Sequence, residues 1–502
     1  MGWEPMKRLF ALGTLALAAL AAAAGASGAI VASDSVAATN DATTPACTSP
    51  APVQTYSWIH CYAPQQIRSA YGVDQVGNPA ASTAAGQGLL GQGQTIVLVD
   101  SYGEPNGAAD LQAFHNAFYP NLTAPNYTAV YPNGSPDFKN VGKGQSGSSG
   151  AEGWAGEAAL DIEWSYAIAP LAHIVLIGVP PAETEGVQGL PNLFKAISDA
   201  IDTYPSGTVF SMSFGVTEQT FGGATKQPTQ KFDAVFQKGN AKGDTFFASS
   251  GDGGSIGVSK QHRDSVNYNF PTDGWPASSP YVTAVGGTQL QYGWRWNPQT
   301  DVAFTSAGAY NSAYWQYTSN ATPQNVVWNE SWCPCATGGG PSVLYSRPAW
   351  QTGVMPAAGN HRLVPDLAWN ASVNGGVLVY TSFFPTTDRV GWHVYGGTSA
   401  ASPQVAALTA LAAQKAGHGL GNINPAIYAH PGAFADVNAV RDESPTIISG
   451  DLSSNQMFDY NGDGLMVTWD PIPGWPTTSG YDMTTGFGTP NASAYVSALA
   501  GP

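Results

Sequence analysis

Short apolar runs rich in β-branched residues alternate with Ala- and Leu-rich stretches over most of the chain. The apolar runs predict strands at Thr95–Asp100, His173–Val179, Thr208–Phe214, Thr245–Ala248, Tyr281–Val285 and Gly376–Thr381. The Ala- and Leu-rich stretches predict helices at Ala108–Phe118, Gly156–Ala167, Leu190–Tyr204, Gln227–Lys242, Pro403–Ala416 and Ala492–Leu499. This alternation predicts an α/β fold, with a mostly parallel sheet covered by helices on both faces. The core would contain Val97, Val99, Ile174 and Val175.

The first sixty residues differ in composition from the rest. Residues 1–28 have the pattern of a secretory signal peptide, with basic Lys7 and Arg8, an apolar run to Ala24, and a small-residue triplet ending at Ala26. An uncleaved membrane anchor is the alternative. Residues 29–60 are rich in Ala, Ser, Thr and Pro, which is typical of a linker or a short pro-segment. Residues 61–502 are then expected to form one domain.

Charged residues are scarce, at 10% of the chain, and the formal net charge is −16. This balance argues against nucleic acid or an anionic membrane as a partner. The four cysteines allow three full pairings. An oxidising compartment favours a Cys47–Cys61 disulfide. Cys333 and Cys335 would close an unusually tight ring or stay reduced, and a zinc site is disfavoured because no further ligands complete it.

A turn of small residues presents Ser399 just ahead of an Ala-rich helical run. Glycines before the serine allow a close approach of backbone to a ligand. A helix that begins here would direct amide groups and the positive end of its dipole at a developing oxyanion. Ser399 is therefore a candidate nucleophile, although a bare Gly-Thr-Ser is more often an ordinary helix cap.

A serine hydroxyl needs a base, and carboxylates are better candidates here than any of the eight histidines. Glu157 and Asp161 are four residues apart on a predicted helix and so share one face. Two close carboxylates resist double ionisation and can share a proton, which suits acid–base chemistry at low pH. Glu163, two residues further on, faces another direction. A solvated helix face is the commoner meaning of an isolated Glu-x-x-x-Asp pattern.

A third carboxylate, Asp252, follows the predicted strand at residues 245–248. Carboxyl ends of strands are where open α/β sheets place their ligand sites. An Asp before Gly is also common in plain turns.

These motifs together resemble the sedolisins, the serine-carboxyl peptidases of the subtilisin-like superfamily. The pattern consists of Glu157 with Asp161, then Ser249-Ser-Gly-Asp252, then Gly397-Thr-Ser-Ala-Ala-Ser-Pro403, in the order that the family has them. Further matches are Cys61-Tyr-Ala-Pro-Gln-Gln-Ile-Arg-Ser-Ala-Tyr-Gly72, Ile96-Val-Leu-Val-Asp-Ser-Tyr-Gly103, Ser211-Met-Ser-Phe-Gly215, Pro276-Ala-Ser-Ser-Pro-Tyr-Val-Thr-Ala-Val-Gly-Gly-Thr288 and Val364-Pro-Asp366. The resemblance covers roughly residues 61–495, and the joint pattern is far more specific than any single motif.

The resemblance implies a secreted, acid-acting endopeptidase that hydrolyses protein or peptide substrates as a monomer. Ser399 would be the nucleophile, Glu157 the base, Asp161 its partner, and Asp252 a protonated donor to the oxyanion. The family usually carries a large folded prodomain, whereas only about thirty residues separate the signal from the domain here. Control by such a prodomain is therefore not expected.

The C-terminal region resembles the family's calcium site. The implied ligands of one structural calcium are the carboxylates of Asp436 and Asp482 and the carbonyls of Val437, Thr478 and Gly480. The family usually has Gly where this chain has Thr478. A second stretch, residues 459–464, is similar to the start of an EF-hand loop, but an ordinary turn is the preferred interpretation.

Two alternatives remain at this point. One is a subtilisin-type peptidase with a histidine base and Asp100 as the triad acid, although no histidine here lies in the subtilisin motif. The other is a catalytically silent protein with a sedolisin-like fold that binds protein or glycan.

Overall fold

The structure is a computed structural model. It describes residues 36–37, 61–134, 149–179, 189–221, 227–257, 268, 270–292, 294–296, 315–317, 322–330, 335–383, 390–438, 453–458 and 471–501. The signal, most of the linker and the EF-hand-like stretch at 459–464 lie outside the described residues.

Helices and strands alternate through the domain. The helices are α1 Pro64–Ala70, α2 Ala84–Gln87, α3 Gly107–Phe118, α4 Ser149–Ile168, α5 Leu190–Thr203, α6 Gln227–Lys242, α7 Thr398–Ala416, α8 Asn424–Ala429 and α9 Ala492–Ala500. The strands are β1 Val36–Ala37, β2 Cys61–Tyr62, β3 Thr95–Ser101, β4 Asn126–Val130, β5 His173–Val179, β6 Val209–Met212, β7 Val216–Thr217, β8 Thr245–Ser249, β9 Gly274–Trp275, β10 Thr283–Gln291, β11 Trp294–Trp296, β12 Trp315–Tyr317, β13 Gln324–Val327, β14 Asn329–Glu330, β15 Cys335–Ala336, β16 Gly340–Ser346, β17 His361–Val364, β18 Leu367–Asn370, β19 Gly376–Thr381, β20 Gly391–Tyr395, β21 Phe434–Ala435, β22 Met457–Phe458, β23 Pro471–Ile472 and β24 Thr489–Pro490.

An eight-stranded sheet forms the centre of the domain. Its order is β13-β10-β8-β6-β3-β5-β4, and β18 also pairs with β10. All of these pairings are parallel except that of β13 with β10. The mostly parallel sheet predicted from the alternation of elements is therefore confirmed.

Both faces of this sheet are buried except at the edge strand β4, and alternate residues of each strand face opposite sides. Ile96 and Leu98 of β3 pack in the cluster that contains residues of α4 and α7. Val97 and Val99 pack in the cluster that contains residues of α5 and α6. The four predicted core residues Val97, Val99, Ile174 and Val175 are fully buried. Two buried faces explain why these strands are continuously apolar rather than alternating.

Two predictions about individual elements are corrected by the structure. Helix α7 begins at Thr398, five residues before the predicted Pro403, so the proline lies inside the helix. A proline there removes only the amide that would bond to the Ser399 carbonyl, four residues earlier, and the helix continues through it. Strand β19 has its predicted limits but pairs with β20 and β2 in a separate four-stranded sheet.

Candidate active site

Strand β20 ends in two glycines that lead directly into α7. Gly397 has a φ of 98°, a conformation that favours glycine, and its amide donates to the Ala371 carbonyl at 2.6 Å. A Cβ on Gly396 would lie 2.7 Å from that same carbonyl oxygen. Ser399 is thereby the second residue of a 19-residue helix, in the first turn, where amides have no intrahelical acceptor. The predicted mounting of the serine at a helix start is present.

Asp252 lies beside this helix start, in the turn that follows β8. Its Oδ1 accepts hydrogen bonds from the Thr398 amide at 2.8 Å and from the Thr398 hydroxyl at 2.7 Å. The Gly251 amide in turn donates to the Thr398 hydroxyl at 3.1 Å. The other carboxyl oxygen of Asp252, Oδ2, is buried and makes no hydrogen bond within the described part of the chain. Burial raises the pKa of Asp252 to about 6, against the lowering effect of Thr398. The structure therefore brings Asp252 next to Ser399.

Glu157 and Asp161 lie on α4, which packs against α7. Ser165 of α4 donates to the Pro403 carbonyl at 3.5 Å, and both carboxyl side chains are buried. Asp161 Oδ1 accepts from the Ser213 hydroxyl at 2.9 Å, just beyond the end of β6. Burial, then the charge of Asp100, then that of Glu157 raise the pKa of Asp161 well above its usual range. The expected proton-sharing pair is thus a buried group of three carboxyls rather than a solvated helix face.

Asp100, near the end of β3, is the third member of this group. Both of its oxygens are buried without a hydrogen bond among the described residues, and burial raises its pKa to about 8. The sequence motif singled it out only as a triad acid for a histidine base. None of the six histidines in the described ranges bonds to Asp100 or Ser399; the hydrogen-bonded ones contact Tyr166, Thr128 and backbone carbonyls instead. His60 and His262 lie outside the described residues.

The Ser399 hydroxyl and Glu157 are not joined by a hydrogen bond in the described structure. Gly156, next to Glu157, lies so close to Tyr395 that a Cβ on Gly156 would be 2.3 Å from the tyrosine hydroxyl. Tyr395 precedes Ser399 by four residues. Contacts of this kind often tighten only when substrate is bound. The structure thus places both residues at one helix–helix contact.

A second group of buried carboxyls lies on the other side of α4. Glu163 Oε2 accepts from the Tyr380 amide at 2.9 Å, so it faces away from Asp161, as predicted. Burial and the charges of Asp110 and Glu104 raise its pKa well above its usual range. Burial likewise raises the pKa of Asp110 to about 6. This group consists of Glu163, Asp110 and Glu104. Among the described residues, none of the three forms an ion pair with a basic side chain that would offset its negative charge.

A cavity opens beside the Asp252 turn and is lined mainly by backbone. Its walls are Thr217, Ser250, Gly251, Gly253, Gly254, Ile256, Gly257, Thr272, Asp273, Gly274, Gly338 and Gly339. Seven glycines in this set leave main-chain groups facing the space. The cavity has room for about one water molecule, about 10 Å³, so it is too small to hold a peptide.

The residues of the predicted calcium site lie together near the C-terminus. Asp436 Oδ2 accepts from the Gly480 amide at 2.8 Å, and Asp482 Oδ2 accepts from the Thr478 amide at 3.0 Å. The Thr477 hydroxyl reaches both the Val437 carbonyl and, at 3.0 Å, Asp482 Oδ2. Two carboxylates and a carbonyl therefore converge on one short segment, a hard oxygen set of the kind calcium prefers.

The two described cysteines are both disulfide-bonded. Cys61 begins the domain at β2, and Cys335 lies in β15. A reduced Cys335, one of the expected possibilities, is therefore wrong. The positions of Cys47 and Cys333 lie outside the described residues.

From the sequence, Ser213 and Thr398 had no predicted role and Asp100 was considered only as a triad acid, but all three residues contribute to this site. Ser213 holds Asp161, Thr398 holds Asp252, and Asp100 adds a third carboxyl to the pair. Ser213 and Asp100 lie at carboxyl ends of predicted strands, a placement that could have marked them.

Comparison with known proteins finds peptidases among the relatives of this chain. The Peptidase_S8 family, the subtilase family, matches residues 153–426, more than half of the chain. Kumamolisin of Bacillus sp. (strain MN-32) is 28% identical over 77% of this chain and 59% of its own length. Sedolisin of Pseudomonas sp. (strain 101) is 31% identical over 60% of this chain and 45% of its own. Tripeptidyl-peptidase SED2 of Arthroderma otae is 29% identical over 58% of this chain and 42% of its own. This chain thus spans about half of the length of these relatives.

A solved structure has the same fold. The Pseudomonas serine-carboxyl proteinase sedolisin, complexed with pseudo-iodotyrostatin, superimposes with a TM-score of 0.57 at 24% identity, covering 87% of this chain and 97% of that one. The family match covers more than half of the chain and the mostly parallel sheet agrees with it: the chain belongs to the subtilase family and is similar to the sedolisins.

Proposed function

We propose that this protein is a serine-carboxyl endopeptidase that acts in acid. The observation that carries the proposal is the position of the Asp252 carboxyl. One of its oxygens accepts two hydrogen bonds from Thr398, the residue before Ser399, and its other oxygen is buried without a hydrogen bond among the described residues. A carboxyl in this environment holds its proton in acid and can donate it to a neighbouring oxyanion.

The first half of the reaction would form an acyl-enzyme. Ser399 Oγ attacks the peptide carbonyl carbon, and Glu157 takes the hydroxyl proton. The carbonyl oxygen gains the electron pair and is stabilised by the Asp252 proton and the Ser399 amide. Collapse of this intermediate breaks the C–N bond, and Glu157 returns the proton to the leaving amine. Water then attacks the ester carbonyl carbon while Glu157 takes a proton from it. When the bond from this carbon to Ser399 Oγ breaks, Glu157 returns the proton to Oγ, and the acid product leaves.

Asp161 and Asp100 would assist Glu157 by sharing protons with it. Three buried carboxyls cannot all be ionised at low cost, so the group retains protons at pH values where free carboxyls are charged. Glu157 can then be the ionised member that accepts the Ser399 proton, while a neighbouring carboxyl of the group keeps its own proton. This property is the reason for expecting activity in acid and loss of activity toward neutral pH.

The substrate class follows from the relatives of this chain. Peptidases are the relatives of this chain, so proteins or peptides are the expected substrates. Several relatives are named tripeptidyl-peptidases, so endopeptidase action is tested with peptides whose N-terminus is blocked. Cleavage inside a blocked peptide supports the proposal, and cleavage of unblocked peptides alone contradicts it.

Secretion, a monomeric state and a structural calcium complete the proposal. Among the described helices, none is long and apolar enough to span a bilayer. Asp436, Asp482 and the Val437 carbonyl would hold the ion, with Thr478 and Gly480 in the same loop. Its positive charge would offset the buried carboxylate of Asp482, whose pKa burial raises. The ion would stabilise the C-terminal loops and takes no part in the chemistry.

Ser399→Ala tests the catalytic assignment directly. Loss of a serine nucleophile typically lowers kcat on the order of a million-fold, while the fold should be retained. Activity is measured at pH 3 to 7 beside the wild type, with circular dichroism to confirm folding. A folded variant with substantial remaining activity would show that another residue is the nucleophile.

A further inference from the structure

A short two-stranded ladder lies between the two loops that carry the proposed catalytic groups. Strand β14 pairs antiparallel with β15, and Glu330 lies directly opposite the disulfide-bonded Cys335. One side of this ladder contacts the Asp252 turn. The other side contacts the loop that supports the start of α7.

The contact with the Asp252 turn is made through backbone groups. The Ala336 amide donates to the Asp252 carbonyl at 2.8 Å, and the Gly254 amide donates to the Ala336 carbonyl at 2.9 Å. The Gly338 amide donates to the Gly251 carbonyl at 2.7 Å. These three bonds fix the main chain on both sides of Asp252, whereas Thr398 holds its side chain.

The contact with the loop that supports the start of α7, residues 371–374, is made by the buried carboxylate of Glu330. Oε2 accepts from the Trp328 indole at 2.8 Å and from the Val373 amide at 2.7 Å, and Oε1 accepts from the Asn374 amide at 2.8 Å. The same loop presents the Ala371 carbonyl to the Gly397 amide at 2.6 Å. Glu330 is thus separated from the start of α7 by only a few bonded contacts.

We propose that Glu330 is a positioning residue that sets the separation of Asp252 and Ser399. The inference rests on the proposed function, because it concerns the same two catalytic groups. Both loops are tied to one ladder, so a shift of the ladder on one side changes the position of one group relative to the other. A misplacement of about 1 Å at such a distance can cost a hundredfold in rate.

The chemistry of the side chain explains why a carboxylate stands at this position. Three N–H donors approach two oxygens, and an ionised carboxylate accepts all of them. Glutamine has the same shape but only one accepting oxygen, so its NH2 group would face at least one donor. Val373 or Asn374 would then have to move away, and the loop beneath Gly397 would move with it.

The test is Glu330→Gln, assayed for kcat and KM well below the melting temperature of each variant. A positioning role predicts a fall in kcat of about tenfold to a hundredfold with KM changed by less than about threefold. A residue that only stabilises the fold would lower the melting temperature and leave kcat per folded molecule unchanged.

Asp244→Asn is the matched control. Asp244 is also a buried carboxylate that accepts two amides, those of Gly207 and Thr208, each at 3.0 Å. It lies at the amino ends of the strands, away from Ser399. The Asp244→Asn substitution should lower the melting temperature and leave kcat unchanged.

The outcomes separate this inference from the proposed function. If Ser399→Ala removes activity and folded Glu330→Gln keeps kcat within twofold of the wild type, the positioning role is wrong and the proposed function stands. If Ser399→Ala stays active, the proposed function is wrong. Should Glu330→Gln not fold, Glu330→Asp decides, because it keeps the charge but shortens the side chain that reaches the Val373 and Asn374 amides; an unchanged kcat there would also overturn the inference.

Discussion

Asp252→Asn gives the sharpest test of the acid mechanism. Asparagine keeps the shape of the side chain, so its oxygen can accept the two bonds from Thr398. Its NH2 group then replaces the proton on Oδ2. The variant therefore keeps a donor for the oxyanion that does not depend on pH.

The expected magnitude follows from the pKa of Asp252. Burial raises that pKa from 3.8 to about 6, so the donor proton is present below about pH 6 and is lost above it. At pH 7 roughly one tenth of the wild-type molecules would keep the proton, and kcat/KM should fall about tenfold for each further pH unit. In Asp252→Asn this limb should move to higher pH, where the other buried carboxyls of the site, Asp100 and Asp161, lose their protons, because burial raises their pKa values as well.

The assay is kcat/KM from pH 3 to 8 for both proteins, with circular dichroism at each pH to exclude unfolding. Asp244→Asn serves as the control, because burial raises the pKa of Asp244 to about 6 as well, at a position far from Ser399. The control should keep the wild-type limb. An unshifted limb in Asp252→Asn, or a wild-type optimum at or above neutral pH, would refute the reasoning.

Three further predictions concern the carboxyl groups and the calcium. Glu157→Gln and Asp161→Asn should each strongly lower kcat, and less than additively together, since they share a proton; a double-mutant cycle with independent effects would argue against the pairing. Chelation at mildly acidic pH should lower the melting temperature of the wild type but not of Asp482→Asn, because a ligand of the native state alone stabilises it; equal melting curves and no metal by elemental analysis would contradict this. Stability should be highest near pH 4 and decline toward pH 8, because the pKa values of Asp110 and Asp100 are raised to about 6 and about 8 in the folded state. Asp100→Asn mimics the protonated acid, so its melting temperature should match the wild type at pH 4 and exceed it at pH 7; the same pH dependence in both proteins would exclude Asp100 as a cause.

The sequence alone determined much of the element order and the identity of the candidate residues. Strand β5 and helix α6 have the limits predicted from their local composition, because continuous apolar runs and Ala-rich stretches are local signals. The combination of Ser399, Glu157, Asp161 and Asp252 was recognisable as a family motif at positions far apart in the chain.

Tertiary structure decided what those residues can do. Helix α7 begins earlier than its proline suggests because Gly397 turns the chain after β20, and β19 joins a second sheet through partners remote in sequence. Nothing local marks Glu330 as a link between two loops. The raised pKa values of Asp252 and Asp100 come from burial, which exists only once helices and sheet have packed. Local pattern therefore predicts which groups are present, while their distances and protonation depend on contacts between residues remote in the chain, 52 positions apart for Ser213 and Asp161 and 146 for Asp252 and Thr398.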